Sequence, residues 1–288
     1  MKIAVASGKG GTGKTFVSSN LFYVAQHHNY KTSLVDCDAE EPNIFGFFSG
    51  NENYKVPVIQ KIPFIDNQKC TFCGKCSSYC EFNAIFMLSI IKNIQVIPEL
   101  CHSCGACLFA CKFDAITETE IEIGEITAIQ FSVNAEIIES KMNIGMERSG
   151  DIIKTAQKKV AESSEIVIYD SPPGTSCPFI ATVENADFVI MVAEPTPFGL
   201  NDLKLSVEVL KQIGKPIFAV INKHGIGNNE VEKFLTSEKI EILAKIPFDI
   251  DIAKTYSTGK ILAEVNPHFF TLFTNMLQKI TQISNLQE

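Results

Sequence analysis

The chain has 288 residues, 45% of them hydrophobic and 20% charged, with a formal net charge of −8. That length supports one large domain or two smaller ones with ample core, and the acidic balance argues against a nucleic-acid-binding face, which needs a basic excess. No apolar run approaches the roughly 20 residues of a membrane-spanning helix. The N-terminus enters a strand pattern directly, with no signal peptide ahead of it, so the expected compartment is the cytoplasm. Cysteine usage is the anomaly: of ten cysteines, eight fall between Cys70 and Cys111. Without a secretory signal, that clustering points to metal ligation rather than to disulfides.

In chain order, residues 2–6 read as a buried strand that runs into Ser7-Gly8-Lys9-Gly10-Gly11-Thr12-Gly13-Lys14-Thr15, with a helical pattern over 16–28. This is a P-loop, G-x-x-x-x-G-K-[ST] from Gly8, in the strand–loop–helix context the motif requires. Its glycines let backbone N–H groups turn inward around phosphate oxygens, and the helix N-terminus adds its positive dipole end. Lys14 is expected on the β- and γ-phosphates and Thr15 on Mg²⁺. The string from Lys9 to Thr15 resembles the deviant P-loop ATPases of the MinD, ParA and nitrogenase iron protein group. The resemblance implies that Lys9 crosses a nucleotide-sandwich dimer to the partner subunit's phosphates, so that hydrolysis needs a homodimer or a heterodimer with a related ATPase.

A second buried strand over 32–35 ends in Asp36-Cys37-Asp38, acids at the carboxyl end of a strand, where open α/β sheets bind ligands. By the same resemblance Asp36 lies near the Mg²⁺ shell and Asp38 positions the attacking water, while Cys37 reads as a small buried residue. An irregular aromatic stretch over 44–48 follows, Pro57 and Pro63 mark a change of texture, and the βα pattern stops near Asp66.

Two copies of one spacing come next, 31 residues apart: Cys70-x2-Cys73-x2-Cys76-x3-Cys80 and Cys101-x2-Cys104-x2-Cys107-x3-Cys111. Phe82-Asn83-Ala84-Ile85 is echoed by Phe113-Asp114-Ala115-Ile116. This is the spacing of bacterial two-cluster ferredoxins, in which the fourth cysteine ligates the other cluster. By that rule Cys70, Cys73, Cys76 and Cys111 hold one [4Fe–4S] cluster, and Cys80, Cys101, Cys104 and Cys107 hold the other. Gly74 and Gly105 suit the tight turns around cluster sulfur. Glu81 and Lys112 replace the usual proline after each fourth cysteine. Paired zinc sites are the competing reading, because sets of four cysteines also suit Zn²⁺; the doubled spacing is more specific to clusters.

Alternation over 121–133 around Gly124 suggests a hairpin returning to the main domain. The stretch 145–150 precedes a helix over 151–161 and resembles the segment after the ferredoxin insert of MinD-like ATPases, which makes Arg148 a candidate contact to nucleotide or dimer partner. Ile166-Val167-Ile168-Tyr169-Asp170 is a Walker B signal, with Asp170 expected to hold Mg²⁺ through water. The D-x-P-P-G that follows resembles the family's switch II, in which Pro172, Pro173 and Gly174 respond to the γ-phosphate. Cys177 lies at the distance at which the nitrogenase iron protein keeps a cluster-ligating cysteine. It is read here as an interface thiol, since two copies supply only two thiolates.

Further βα units follow: a strand over 186–192, a helix over 200–213 and a strand over 217–221 ending in Asn222. The resemblance puts an adenine-reading Asn at Asn222 and a later adenine-side loop at Pro247. A last amphipathic helix over 268–280 carries only Lys279 as a cation, which suits packing rather than a membrane anchor.

The expectation is an α/β fold, a doubly wound, mostly parallel P-loop NTPase sheet (residues 1–63 and 119–288) with an inserted α+β ferredoxin-like domain (64–118). The resemblance covers essentially the whole chain, to MinD/ParA-type ATPases of the CobQ/CobB group. It implies ATP or ADP, Mg²⁺ and two [4Fe–4S] clusters as cofactors, and a redox or cofactor-binding protein as partner. Three function classes are open: an ATP-gated electron donor, an iron–sulfur or molybdenum cofactor assembly ATPase, and a positioning ATPase whose clusters serve structure or redox sensing. Complete ferredoxin ligation favours electron transfer over labile cargo. An amide-forming cobyrinate-type synthase has only the shared P-loop fold behind it.

Overall fold

The computed structural model describes residues 1–285. In chain order, β1 (Lys2–Ala6) leads through the P-loop into α1 (Lys14–His27), followed by β2 (Thr32–Asp36), the long β3 (Asn51–Ile65), and a small excursion made of α2 (Lys75–Ser78), β4 (Ile85–Leu88), β5 (Asn93–Val96) and α3 (Ala106–Ala110). The chain returns along β6 (Ile116–Ser132) and turns into β7 (Ala135–Met142). It continues with α4 (Ser149–Lys159), β8 (Ile166–Asp170), α5 (Cys177–Glu184), β9 (Phe188–Ala193), α6 (Pro197–Ile213) and β10 (Ile217–His224). It ends with α7 (Glu230–Ser237), β11 (Glu241–Pro247), α8 (Ile250–Ser257), α9 (Leu262–Val265) and α10 (Pro267–Asn285).

One nine-stranded sheet organises the molecule, in the order β11-β10-β9-β1-β8-β2-β7-β6-β3. From β11 to β7 all pairings are parallel, and the strands are nearly continuous apolar runs because helices cover both faces. One face packs α1, α9 and α10, with Phe22, Phe273 and Met276 fully buried. The other packs α4, α5, α6 and α7 through Ile152, Phe179, Leu210 and Leu235. The final helix is a packed core helix: Phe269, Phe273, Met276, Leu277 and Ile280 are all buried. Among the described residues, no helix is long and apolar enough to cross a membrane.

Two sequence expectations change at the far edge. Residues 121–133 do not form a hairpin. All but Val133 lie within the single strand β6, which pairs antiparallel with β3 over Ile116–Gln130 and with β7 over Gly124–Ser132, and the turn comes only at 133–134. The alternation changes phase because the β3–β6 ladder carries a bulge between Val58 and Ile59, opposite Glu122 to Gly124. One extra residue on β6 shifts the inward set from Ile121 and Ile123 to Ile126 and Ala128. Pro57 and Pro63 are not breakers but members of β3, tolerated because β3 is the outermost strand and needs N–H donors on one side only.

The β3–β6 ribbon runs out of the sheet and carries residues 66–115 at its end. Asp66 N–H donates to Ala115 O at 2.8 Å, closing the module where it leaves the ribbon. The module holds the two-stranded β4–β5 sheet, whose strands pair antiparallel, and the two short helices.

Candidate functional site

Every acidic and phosphate-binding feature named from the main domain gathers at the carboxyl edge of the parallel strands. β1 lies between β8 and β9, so the loop after it opens where the chain direction of winding reverses, the place such sheets bind ligands. Residues 8–13 form that loop, and α1 starts at Lys14. Gly8 is obligatory for space: a Cβ there would meet the backbone of Asp202 at 2.4 to 2.6 Å. Gly13 is obligatory twice over, with φ +98° and the Asn222 amide where a Cβ would go.

Asp36 and Asp170 are register partners on adjacent strands. Asp36 accepts backbone N–H groups of Asp38 (3.0 Å), Asn43 (2.9 Å) and Ile44 (3.1 Å). Burial, and then the neighbouring Asp170, push its carboxyl well above the ordinary carboxylate range despite those donors. Asp170 accepts the Thr15 hydroxyl through Oδ2 at 2.6 Å, while Oδ1 is buried with no hydrogen-bond partner. Burial raises Asp170 to about 6, against the opposing pull of Thr15 and Lys14. Lys14 is itself buried, and desolvation lowers its pKa while Asp170, Asp38 and Asp36 pull the other way. Two buried acids, a hydroxyl and one orphaned carboxylate oxygen make an environment whose chemistry fits a bound divalent cation. Asp38 is more open and within the electrostatic reach of Lys14.

Pro172 and Pro173 follow β8, and Gly174, at φ +91°, donates its N–H to Ser7 O at 3.1 Å, so the D-x-P-P-G segment is latched to the P-loop. Cys37 is fully buried, and Cys177 is the exposed first residue of α5, lining neither cysteine cavity. Asn222 does not present a free amide: its Nδ2 donates to Thr12 O at 2.7 Å and its Oδ1 accepts Lys223 N–H at 2.9 Å, bracing the loop. Beside it, a cavity of about 160 Å³ is lined by Gly11, Gly13, Asn222, Pro247, Phe248 and Tyr256.

Three residues here were not singled out from the sequence. Glu194 follows β9 and pairs with both Lys9 and Lys223, the latter at 3.0 Å. Burial pushes its carboxyl up, but the hydrogen bonds from the two lysines outweigh that and leave it below the ordinary range. Lys223 also reaches Gly11 O at 3.0 Å. Tyr256 packs edge-on against Phe16, and burial and then Asp170 raise its phenol to about 12. An acid just past a strand end is a signal that would have found Glu194; nothing in the local pattern marks Tyr256.

The cysteine module holds two further cavities. One is lined by Cys80, Cys101, Cys104 and Cys107. The other is lined by Cys70, Cys73, Cys76 and Cys111. The fourth cysteine of each run therefore crosses to the cavity of the other run. The sequence repeat is also a backbone repeat: Phe72 and Ser103 have φ of +54° and +51°, and Gly74 and Gly105 have +79° and +73°. This geometry aims backbone N–H groups at sulfur, Phe72 N to Cys70 Sγ at 3.4 Å and Ser103 N to Cys101 Sγ at 3.5 Å. A bulky residue held at positive φ is strained. The thiols rim their cavities rather than meeting at a point: among the described residues no three His, Cys, Asp or Glu side chains are placed to share a single metal ion.

Arg148 lies away from the nucleotide edge. It touches neither the P-loop nor the cavity beside it; its guanidinium pairs with Asp151 and donates to Cys101 O at 3.5 Å, so it serves the cysteine module.

Comparison with known proteins bears on this arrangement. The family model for the CobQ/CobB/MinD/ParA nucleotide binding domain matches residues 3–262. An uncharacterized protein of Methanocaldococcus jannaschii is 34% identical over 92% of this chain and 93% of its own length. An iron-sulfur cluster carrier protein of Pyrococcus horikoshii is 24% identical over 98% of this chain and 87% of its own. The septum site-determining protein MinD of Pyrococcus horikoshii, solved with Mg-ADP, superposes with a TM-score of 0.60 at 17% identity, covering 100% of this chain and 98% of its own; that likeness is one of fold. With its sheet, P-loop and match over nearly all of its length, the chain belongs to the CobQ/CobB/MinD/ParA family of nucleotide-binding ATPases.

Proposed function

We propose that this chain is an ATP-hydrolysing switch carrying two [4Fe–4S] clusters, which passes electrons to a redox or cofactor-binding partner protein under control of its nucleotide. The observation that carries the reading is the pair of crossed four-cysteine cavities on a ribbon continuous with the nucleotide-binding sheet. A cubane takes one thiolate on each of its four irons and so needs four cysteines around a cavity. A zinc site needs four sulfurs at about 2.3 Å from one point, which the spread of these thiols does not favour.

In the nucleotide site, Lys14 and the loop amides balance charge developing on the β- and γ-phosphates. Thr15, Asp36 and Asp170 hold Mg²⁺, which supplies Lewis-acid stabilisation of the phosphoryl oxygens. Asp38 orients water for attack. Lys9, released from Glu194, completes the field on the phosphates of a partner subunit, so turnover follows dimerisation. Pro172, Pro173 and Gly174 carry the nucleotide state away from the site. In the module, Cys70, Cys73, Cys76 and Cys111 hold one cluster and Cys80, Cys101, Cys104 and Cys107 the other; the clusters supply one-electron chemistry.

The names of the carrier-protein relatives favour the iron–sulfur side of a second reading, iron–sulfur or molybdenum cofactor assembly on a partner. The fold likeness to MinD favours a third, a positioning ATPase with clusters as structural or redox-sensing elements. Anaerobic purification with iron and labile-sulfide analysis, then ATPase rates and EPR in oxidised and dithionite-reduced protein, separates them. The expected result is two clusters' worth of iron, a nucleotide-dependent EPR change and a redox-dependent ATPase rate. Transfer of clusters intact to an apo-acceptor supports assembly instead. Full cluster content with no mutual influence leaves the positioning reading, and protein that binds zinc but no clusters sinks all three.

A further inference from the structure

One contact between the two regions stands apart from ordinary packing. The carbonyl of Cys101, first cysteine of the run around one cavity, is held from the nucleotide-binding sheet and its helices on two sides. Gln60 of β3 donates to it at 2.6 Å from a buried position, and Arg148, at the N-terminus of α4, donates at 3.5 Å. The Arg148 side chain is only 19% exposed and is fixed by Asp151 one turn along the helix. Lys61 and Lys75, which line the two cavities, are largely in solvent, where water and salt screen their charge. Arg148 therefore provides a shielded, immobile positive charge on one cysteine set and not on the other.

The helix that carries Arg148 is tied to the nucleotide switch. From α4, Gln157 donates to Thr182 O of α5 at 3.1 Å, and Asn185 at the end of α5 donates back to Gln157 Oε1 at 2.7 Å. Three residues before α5 begins at Cys177 stands Gly174, hydrogen-bonded to Ser7 of the P-loop. A displacement of the D-x-P-P-G segment would reach α5 and, through these bonds, α4, whose N-cap is Arg148.

We propose that Arg148 is a positioning residue that raises the reduction potential of the cluster held by Cys80, Cys101, Cys104 and Cys107, and that the Gly174–α5–α4 connection makes that potential follow the nucleotide. The inference rests on the cluster reading given above. A fixed cation favours the reduced, more negative cluster, and Asp151 partly offsets it. Removing the cation and removing the offsetting acid therefore act in opposite directions, which a purely structural role does not produce.

The test is an EPR-monitored redox titration of the full, cluster-loaded chain as wild type, Arg148→Gln and Asp151→Asn. Each is measured without nucleotide, with Mg-ADP, and with a non-hydrolysable ATP analogue; Cys104→Ser assigns the two midpoints. With iron content unchanged, Arg148→Gln should make that one cluster about tenfold harder to reduce, a fall of about 59 mV for one electron. Asp151→Asn should raise the same midpoint, the other cluster should stay put, and the nucleotide-dependent shift should vanish in Arg148→Gln. If Arg148→Gln loses iron, the sign of the Asp151→Asn shift decides. Unchanged midpoints in fully loaded variants, or equal movement of both clusters, overturn the inference while leaving the cluster reading intact. A wild type without clusters overturns both.

Discussion

The nucleotide edge and the cysteine module are held together by different physics. The sheet buries two extensive apolar layers, one on each face, and its strand ends are cross-braced by backbone hydrogen bonds. The module has almost nothing comparable. Its interior consists of two small clusters in which Cys76, Cys101 and Cys107 sit beside Ile62, Ala84, Ile85 and Ile94. Large apolar side chains such as Ile90, Phe109 and Phe113 point outward instead. So small a unit needs a staple in place of a core. The lesson is that one chain joins a region stable by burial to one with little core of its own, whose order would, in the cluster reading, depend on what its thiols bind.

The largest expected effect tests that contrast directly. In the cluster reading, oxidative destruction of the clusters followed by chelation should remove hydrogen-exchange protection across residues 66–115 almost completely, because binding free energy at such sites is folding free energy. Amides of β1, β8 and β9 should keep theirs. Loss of protection in the central strands as well would mean that the sheet leans on the module, and the contrast would be wrong.

The next effect belongs to the sheet alone. Asp170 titrates at about 6 in the fold against an ordinary 3.8, and Asp36 is raised too, in both cases chiefly by burial. The folded state thus holds these protons to a higher pH than the unfolded chain does. The Asp170 contribution is full below about pH 4 and is lost as pH rises through about 6, on the order of 2 to 3 kcal/mol, and Asp36 acts in the same direction. Urea denaturation of metal-free protein over that window should follow this slope. Asp170→Asn should flatten it, and Mg-nucleotide should reverse it by favouring the ionised acids. Buried thiols cannot supply the slope, since burial lifts Cys107 to about 11. A slope that survives in Asp170→Asn would assign it elsewhere.

How much of this was legible in the sequence follows the same division. The P-loop, Asp36 and Asp170 were readable because each is a local signal, a motif or an acid ending an apolar strand. The crossed cysteine sets were readable because a repeat of spacing implies a repeat of geometry, and Gly74 and Gly105 duly carry the matching positive φ. Nonlocal consequences were not. The edge position that lets Pro57 and Pro63 sit inside a strand exists only once β3 has found β6. The phase change near Gly124 reads as a turn until the bulge opposite Val58 and Ile59 is seen. The contact of Arg148 with Cys101 was not legible, because it depends on where the N-terminus of α4 lies against the cysteine module, which the resemblance used for Arg148 does not carry.

The smallest effect concerns how the nucleotide edge changes partners. Lys9 is about a third exposed and is held by Glu194, which is nearly buried and also takes Lys223. Lys9 cannot pair with Glu194 and reach a second subunit's phosphates at once, so in the dimeric reading Glu194 competes with the partner's nucleotide. Glu194→Gln should weaken the hold on Lys9 by about 1 kcal/mol, the scale of a partly screened pair. Because both copies of the pair break in a symmetric dimer, about 2 kcal/mol together, ATP-dependent dimerisation, followed by sedimentation, should then shift to roughly thirtyfold lower protein concentration, while Lys9→Ala abolishes it. The monomer should lose a similar 1 kcal/mol, because Lys223 keeps its bond to Gly11 O and limits the damage to the loop. Unchanged dimerisation with lowered stability would make the Lys9–Glu194 pair a brace for the P-loop rather than a restraint on assembly.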